Sequence, residues 1–176
     1  GDDAEPSKKQ QETKLSPSSK DDTQVADIDT QLDPHLNFKN YVEGTSNKLA
    51  RSLGLSIAEH PAQPQFNPMF IYGPSGCGKT HLINAIGLRC KQLYPEKRVL
   101  YISARLFQTQ FVDANFHGSI NDLIRFYKTI DMLIVDDIQE WVNATKTQDT
   151  FFHIFNHLFR NGKRMLLASD RPPVDL

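Results

Sequence analysis

The sequence predicts an α/β fold, a parallel central sheet with helices on both faces. Three observations predict it. Short runs of β-branched and aliphatic residues alternate with longer stretches of helical period, the order that gives parallel strands joined by crossover helices. One run, "DMLIVDD" (131–137), is apolar at every interior position, as a strand covered on both faces must be. Another run leads straight into a turn with three glycines, "FIYGPSGCGKTHL" (70–82), a strand–turn–helix junction.

The elements follow in order. Residues 1 to about 31 are rich in Asp, Lys, Gln, Ser, Thr and Pro, with Leu15, Val25 and Ile28 as the larger aliphatics. Such a stretch buries too little to offset its ordering entropy and reads as a disordered acidic and polar linker, residues 1–31. The folded domain is expected over 32–176. "LDPHLNFKNYVEGTSNKLA" opens it with Leu36, Phe38, Tyr41 and Val42, then a helix from about Thr45 to Glu59. Thr45 or Ser46 would cap that helix, and Leu49, Leu53 and Ile57 share a face. After a proline-rich loop come a strand at Met69–Tyr72 and a helix from about Lys79 to Leu93. A strand at 98–103 precedes two helices, 104–116 and about 119–129, broken at Gly118 with Ser119 as cap. The strand 131–137 leads to a helix at 147–160, with Phe151, Phe155, Leu158 and Phe159 on its apolar face, and a last strand at 163–170.

The totals narrow the class. A chain of 176 residues with 39% hydrophobic and 23% charged residues is sized and composed for one ordinary domain. No apolar run approaches the roughly 20 residues of a membrane helix, and the first residues are too polar for a secretory leader. Cys77 and Cys90 are too few for a disulfide framework, which favours a reducing cytoplasmic setting. The net charge of -1 hides an asymmetry: residues 1–35 carry four lysines against nine acids, and the remainder sixteen basic against twelve acidic residues. A positive domain behind an acidic tail permits a polyanionic partner.

The glycine turn meets the phosphate-loop pattern G-x-x-x-x-G-K-[ST] with Gly73, Gly78, Lys79 and Thr80, and adds Gly76. Backbone N–H groups of such a loop converge on one anion, and the helix N-terminus adds partial positive charge. Lys79 would reach the β- and γ-phosphates of a nucleoside triphosphate, and Thr80 would ligate magnesium. The loop needs a carboxylate at a neighbouring strand end. "MLIVDD" supplies Asp136 for the metal and Asp137 to orient or deprotonate the attacking water. The last strand ends "ASD", which places Asp170 at the carboxyl edge of the sheet. Asp170 could sense the γ-phosphate or cap the turn before Pro172. Weaker features read as packing: His153 and His157 lack the glutamate of a zinc protease, and "FFHIFNHLF" suits a core better than base stacking. The spacing of Ile120, Leu123, Ile124 and Tyr127 says amphipathic helix. Trp141 could pack locally or face a neighbouring subunit.

These residues and four further blocks, "LDPHLNFKNYVEGTSNKLA", "VDDIQ", "TQDTFFHIFNHL" and "LLASDRPP", resemble the nucleotide-binding domain of the DnaA family of bacterial replication initiators, AAA+ proteins. The resemblance covers about residues 32–174. It implies a P-loop NTPase AAA+ αβα sandwich that stops after sensor I and lacks the C-terminal helical lid. It implies ATP or ADP with magnesium on Gly73, Gly76, Cys77, Gly78, Lys79, Thr80 and His81, with Tyr41 and Val42 on the adenine side. Asp170 would be the sensor I residue. Val112 in the inserted helices, with Lys146 and Thr147, would touch single-stranded DNA. The family's activity is ATP-dependent head-to-tail assembly into a helical oligomer on origin DNA, duplex opening, and reset by slow ATP hydrolysis. Partners implied are the origin, whose duplex is bound by a domain not present here, the replicative helicase through an upstream domain, and acidic phospholipids. The implied location is the cytoplasm, at the nucleoid.

Two positions depart from the family. Ala144 leaves Lys146 alone where two basic residues are common, which weakens polyanion contact. Glu140 stands where an apolar residue is more frequent. The family's arginine finger, sensor II arginine and duplex-binding helices lie beyond Leu176, so this piece is expected to bind nucleotide weakly and hydrolyse it very slowly. A helicase loader or initiator-like regulator is the nearest alternative. A phosphate-transferring kinase or a nucleotide-gated binding module is a more distant one.

Overall fold

A computed structural model describes residues 27–41, 48–74 and 78–172. Strands β1 (Met69–Tyr72), β2 (Val99–Ser103), β3 (Met132–Asp136) and β4 (Arg164–Ser169) form a parallel sheet in the order β1-β4-β3-β2. Side chains of a strand alternate between faces, and here the alternation sorts two cores. Met132 and Ile134 of β3, with Val99, Leu166 and Ala168, pack against helices α1 (Lys48–Glu59) and α2 (Lys79–Leu93). Leu133 and Val135, with Leu100, Ile102, Met165 and Leu167, pack on the other face. That face is covered by α3 (Ala104–Phe116), α4 (Ile120–Lys128), a 3-10 turn (Ile138–Trp141) and α5 (Thr145–Arg160). The result is the expected three-layer αβα arrangement.

Two polar anchors set the end of the sheet opposite the glycine loop. Asp131 accepts from the Arg98 amide (2.8 Å) and from the Lys163 ammonium (2.7 Å), tying together the approaches to β2, β3 and β4. Arg164 is 1% exposed, and its guanidinium donates to the carbonyls of Pro61, Gln63, Gln65 and Phe66. A buried cation thus holds the loop into β1 through carbonyl dipoles alone.

Several expectations are corrected. Leu49 is 80% exposed, because α1 packs through its second half, where Gly54 meets Ile86 and Leu82 of α2. Helix α5 begins at Thr145, and its buried side is Thr147, Phe151, Ile154 and Leu158. Phe159 lies one 100° step past Leu158 and is half exposed, stacked on Phe155 at 6.2 Å. Ser119 sits at the start of α4, but its hydroxyl turns back to the Ala114 carbonyl and caps no amide of α4. Trp141 packs locally: it is 5% exposed, 4.8 Å from the Phe151 ring, and donates its indole N–H to the Ala104 carbonyl. The Thr45 and Ser46 caps lie outside the described residues.

The boundary at residue 31 also moves. Residues 27–32 lie along the outer edge of β2, where the Tyr101 amide donates to the Thr30 carbonyl (2.9 Å). Ile28 and Leu32 each pack against one of the two cores. One partly buried aliphatic, Ile28, and one edge hydrogen bond at Thr30 hold residues 27–31, which their polar composition assigned to the linker.

Candidate functional site

Helix α2 carries the glycine loop at its N-terminus. Gly78 begins the helix at φ 87°, a left-handed conformation that strains any residue with a Cβ. Lys79 follows and is buried to 9% exposure. Its ammonium donates to the carbonyls of Gly73 and Pro74, the first residues of the loop. The loop's base is stitched to the sheet, since the Gly73 amide donates to the Ser169 carbonyl (3.2 Å), one step beyond the Tyr72–Ser169 register.

Strand parity decides which aspartate meets this loop. Met132 and Ile134 face α2, so Asp136 faces it too. Asp136 is 2% exposed, and every contact on it is a donor. Thr80 donates its hydroxyl to Oδ2 (2.8 Å), Tyr101 donates its phenol to the same oxygen (2.6 Å), and the Asp137 amide donates to Oδ1 (2.9 Å). Burial, and the carboxylate that accepts its proton, push the Tyr101 phenol far above its ordinary value. The Thr80 hydroxyl and Asp136 carboxylate are hard oxygen donors side by side, a set that could hold magnesium with water and phosphate oxygens completing its shell.

Asp137 leaves the strand in a left-handed conformation, φ 59°. Desolvation at the strand end, with the Asp136 charge beside it, raises its carboxyl above the ordinary value. Gln139 bridges from it to the last strand: its amide nitrogen donates to Asp137 Oδ1 (3.4 Å), and its oxygen accepts from the Asp170 amide (3.2 Å). The turn after β4 is closed by the Ser169 hydroxyl, which accepts from the Arg171 amide (3.0 Å). The Asp170 carboxylate is therefore not consumed as that turn's cap.

The segment before α1 is strapped to the same helix. His81 meets the Asn37 carbonyl (2.8 Å) and lies edge-on to the Tyr41 ring at 5.3 Å. Asn84 is 2% exposed, donates to the carbonyls of Asp33 (2.7 Å) and Leu36 (2.9 Å), and accepts from the Asp33 amide (3.0 Å). A Cβ on Gly87 would come within 2.9 Å of Leu32 and 2.8 Å of Ile134. Lys91 pairs with Asp27 at 2.9 Å. Positions 81, 84, 87 and 91 recur at helical spacing, so one stripe of α2 holds the strap and brings Tyr41 to Gly78. Asn84, Tyr101 and Gln139 were not singled out from the sequence.

Of the other residues named from the sequence, Val42, Gly76 and Cys77 lie outside the described residues. Val112 is 57% exposed on α3, beside Phe116, and Lys146 is exposed. Gln108 lines both the groove along Val112 and the polar groove of Gln139, Asn143, Ala144 and Asp170, so the two surfaces adjoin. Thr147 is 3% exposed and lies with Phe151 and Ile154 on the buried side of α5. Among the described residues no cluster of three or more His, Cys, Asp or Glu converges on a metal. No described helix is long and apolar enough to cross a membrane.

The curated chromosomal replication initiator protein DnaA of Bacteroides fragilis is 59% identical over 150 residues, covering 85% of this chain and 32% of that protein. The DnaA of Porphyromonas gingivalis is 48% identical over 160 residues, covering 91% and 34%. The chain thus spans about a third of the length of the curated relatives it matches. Domain III of the Thermotoga maritima replication initiation protein DnaA superposes with a TM-score of 0.79 at 40% identity, over 82% of this chain and 60% of that one. AMPPCP-bound DnaA from Aquifex aeolicus gives 0.78 at 39%, over 83% and 45%. A DnaA bound to AMPPCP and single-stranded DNA gives 0.76 at 39%, over 82% and 44%. Helicase loader DnaC shares the fold alone, at 15% identity and a TM-score of 0.63. The model of the bacterial DnaA ATPase domain matches residues 32–176, from the strap through the glycine loop to the last strand, and the chain belongs to that family.

Proposed function

We propose that this chain is the nucleotide-operated part of a bacterial replication initiator, binding ATP with magnesium and switching between assembly-competent and reset states by slow hydrolysis. The observation that carries the reading is the meeting of Thr80 and Asp136 at 2.8 Å beside the buried Lys79. Lys79 would exchange the Gly73 and Pro74 carbonyls for phosphate oxygens, which are stronger acceptors. Bound magnesium would supply charge neutralisation on the β- and γ-phosphates. Asp137, its carboxyl raised, is suited to hold or accept a proton from an attacking water, with Gln139 fixing its direction. Asp170, whose amide meets the other arm of Gln139, would register the γ-phosphate.

The whole-protein roles follow from the family. They are head-to-tail helical assembly with ATP, single-strand engagement through Val112 and Lys146, duplex recognition and helicase recruitment by other domains, contact with acidic phospholipids, and a place at the nucleoid in the cytoplasm. The test is titration of ATP and ADP into wild type and Lys79→Ala, on this chain and on the full-length protein. Wild type is expected to bind, and loss of the lysine contact to weaken affinity at least tenfold. Absence of nucleotide from the full-length wild type at millimolar concentration would refute the reading.

A further inference from the structure

We propose that Tyr101 is a positioning residue for the metal carboxylate, its phenol fixing Asp136 in the orientation that the cation and Thr80 require. The inference rests on the nucleotide site proposed above.

Tyr101 belongs to β2, whose odd positions face α2, and its partner in register is Ile134, two residues before Asp136. A side chain as long as tyrosine is needed to reach from that level to the strand end. The ring alone would serve packing, since it lies partly buried against the α2-side core, and a phenylalanine would fill the same space. The hydroxyl does something packing does not ask for: it donates to Asp136 Oδ2 at 2.6 Å.

The carboxylate needs such a partner. At 2% exposure Asp136 is a buried charge, stable only when its oxygens are hydrogen-bonded. The Asp137 amide holds Oδ1, while Thr80 and Tyr101 share Oδ2. Thr80 has a second task at the cation; Tyr101 has none. With Tyr101 the carboxylate is pinned at both oxygens by groups that do not leave. Without it, Oδ2 keeps only the Thr80 hydroxyl, and once that hydroxyl turns to the cation Asp136 is pinned at Oδ1 alone and free to turn about its terminal bond. The strand itself is fixed at this residue, because the Tyr101 backbone amide donates to the Thr30 carbonyl. Carboxylate ligands are commonly held by such outer partners, whose loss costs about 10- to 100-fold in metal affinity.

The test compares wild type with Tyr101→Phe in the full-length protein. ATP affinity is measured by a fluorescent analogue in magnesium and in EDTA, with a magnesium titration at fixed nucleotide. The variant is expected to need about tenfold more magnesium to reach half its affinity gain, with affinity in EDTA unchanged. In an Asp136→Asn background the same substitution should add nothing, since Tyr101 acts through that carboxylate. An unchanged magnesium midpoint overturns the proposal. So does an equal loss in EDTA, the mark of a scaffold role or a misfolded variant, and so does an additive effect in the double variant. If the wild type binds no nucleotide in either buffer, the reading of the site fails and this inference with it. If the wild type binds with magnesium dependence and Tyr101→Phe keeps that dependence, this inference alone fails.

Discussion

Removing the Asn84 amide should loosen the strap that carries Tyr41 to the glycine loop. Asn84→Ala deletes three hydrogen bonds of 2.7, 2.9 and 3.0 Å at a residue 2% exposed. At about 1 kcal/mol each, the direct loss is about 3 kcal/mol. The strap is itself part-exposed, so water can reach the freed Asp33 and Leu36 carbonyls, which brings the expected loss to about 2–3 kcal/mol. Urea unfolding reads it. With a slope of about 2 kcal/mol per molar, the midpoint should fall by roughly 1–1.5 M. Amide exchange should accelerate first at Leu36 and Tyr41, whose N–H groups bond within the strap. Asn84→Asp should be worse than alanine, because it sets a carboxylate against two carbonyl acceptors. A midpoint within about 0.2 M of wild type, with exchange at 33–41 unchanged, would refute the view that Asn84 holds the strap.

Other substitutions test the site and the sheet. Asp137→Asn should raise Tm in the absence of nucleotide while abolishing ATP turnover in the full-length protein, since it removes a carboxyl whose raised pKa marks an unfavourable charge at neutral pH; that penalty is relieved in wild type as pH falls through the raised value. A lower Tm for the variant would contradict it. For Asp131, burial alone would raise the carboxyl, but the Arg98 amide and the Lys163 ammonium outweigh it and hold it below its ordinary value. Its stabilisation is thus complete above the unfolded value of about 3.9 and is lost as pH falls through the lower folded value. Asp131→Asn should cost stability at pH 7 and flatten the acid limb, as followed by urea midpoints from pH 7 to 3. Lys146→Ala should weaken single-strand binding of the full-length protein and reduce the salt slope by about 0.7, whereas Thr147→Val should leave both unchanged. Equal effects at the two positions would place Thr147 at the surface after all.

What the sequence made legible was local. The glycine loop, the helix from Lys79 to Leu93 and the apolar strand ending in two aspartates are contiguous patterns, and strand parity alone sends Asp136 rather than Asp137 toward α2. Asn84, Tyr101, Gln139 and Arg164 escaped because their roles depend on distant partners. An asparagine inside a helix shows no sign of the strap 51 residues earlier, and a tyrosine in a strand reads as core. Thr147 is the opposite case. Its role came from resemblance, while the spacing 147, 151, 154, 158 already put it on the inward face of α5. Residues 27–31 were lost to composition, since one aliphatic and one edge hydrogen bond leave little trace in a polar stretch.

The strap runs against the direction of α2, from Lys91 back to His81. Eleven residues separate Lys91 from Thr80, roughly 16 Å along the axis at 1.5 Å per residue. Asp27, where the described strap begins, therefore lies at the pole of α2 remote from the glycine loop. A shift of that one rod would carry a change at Thr80 to every contact of the strap, from His81 to Lys91.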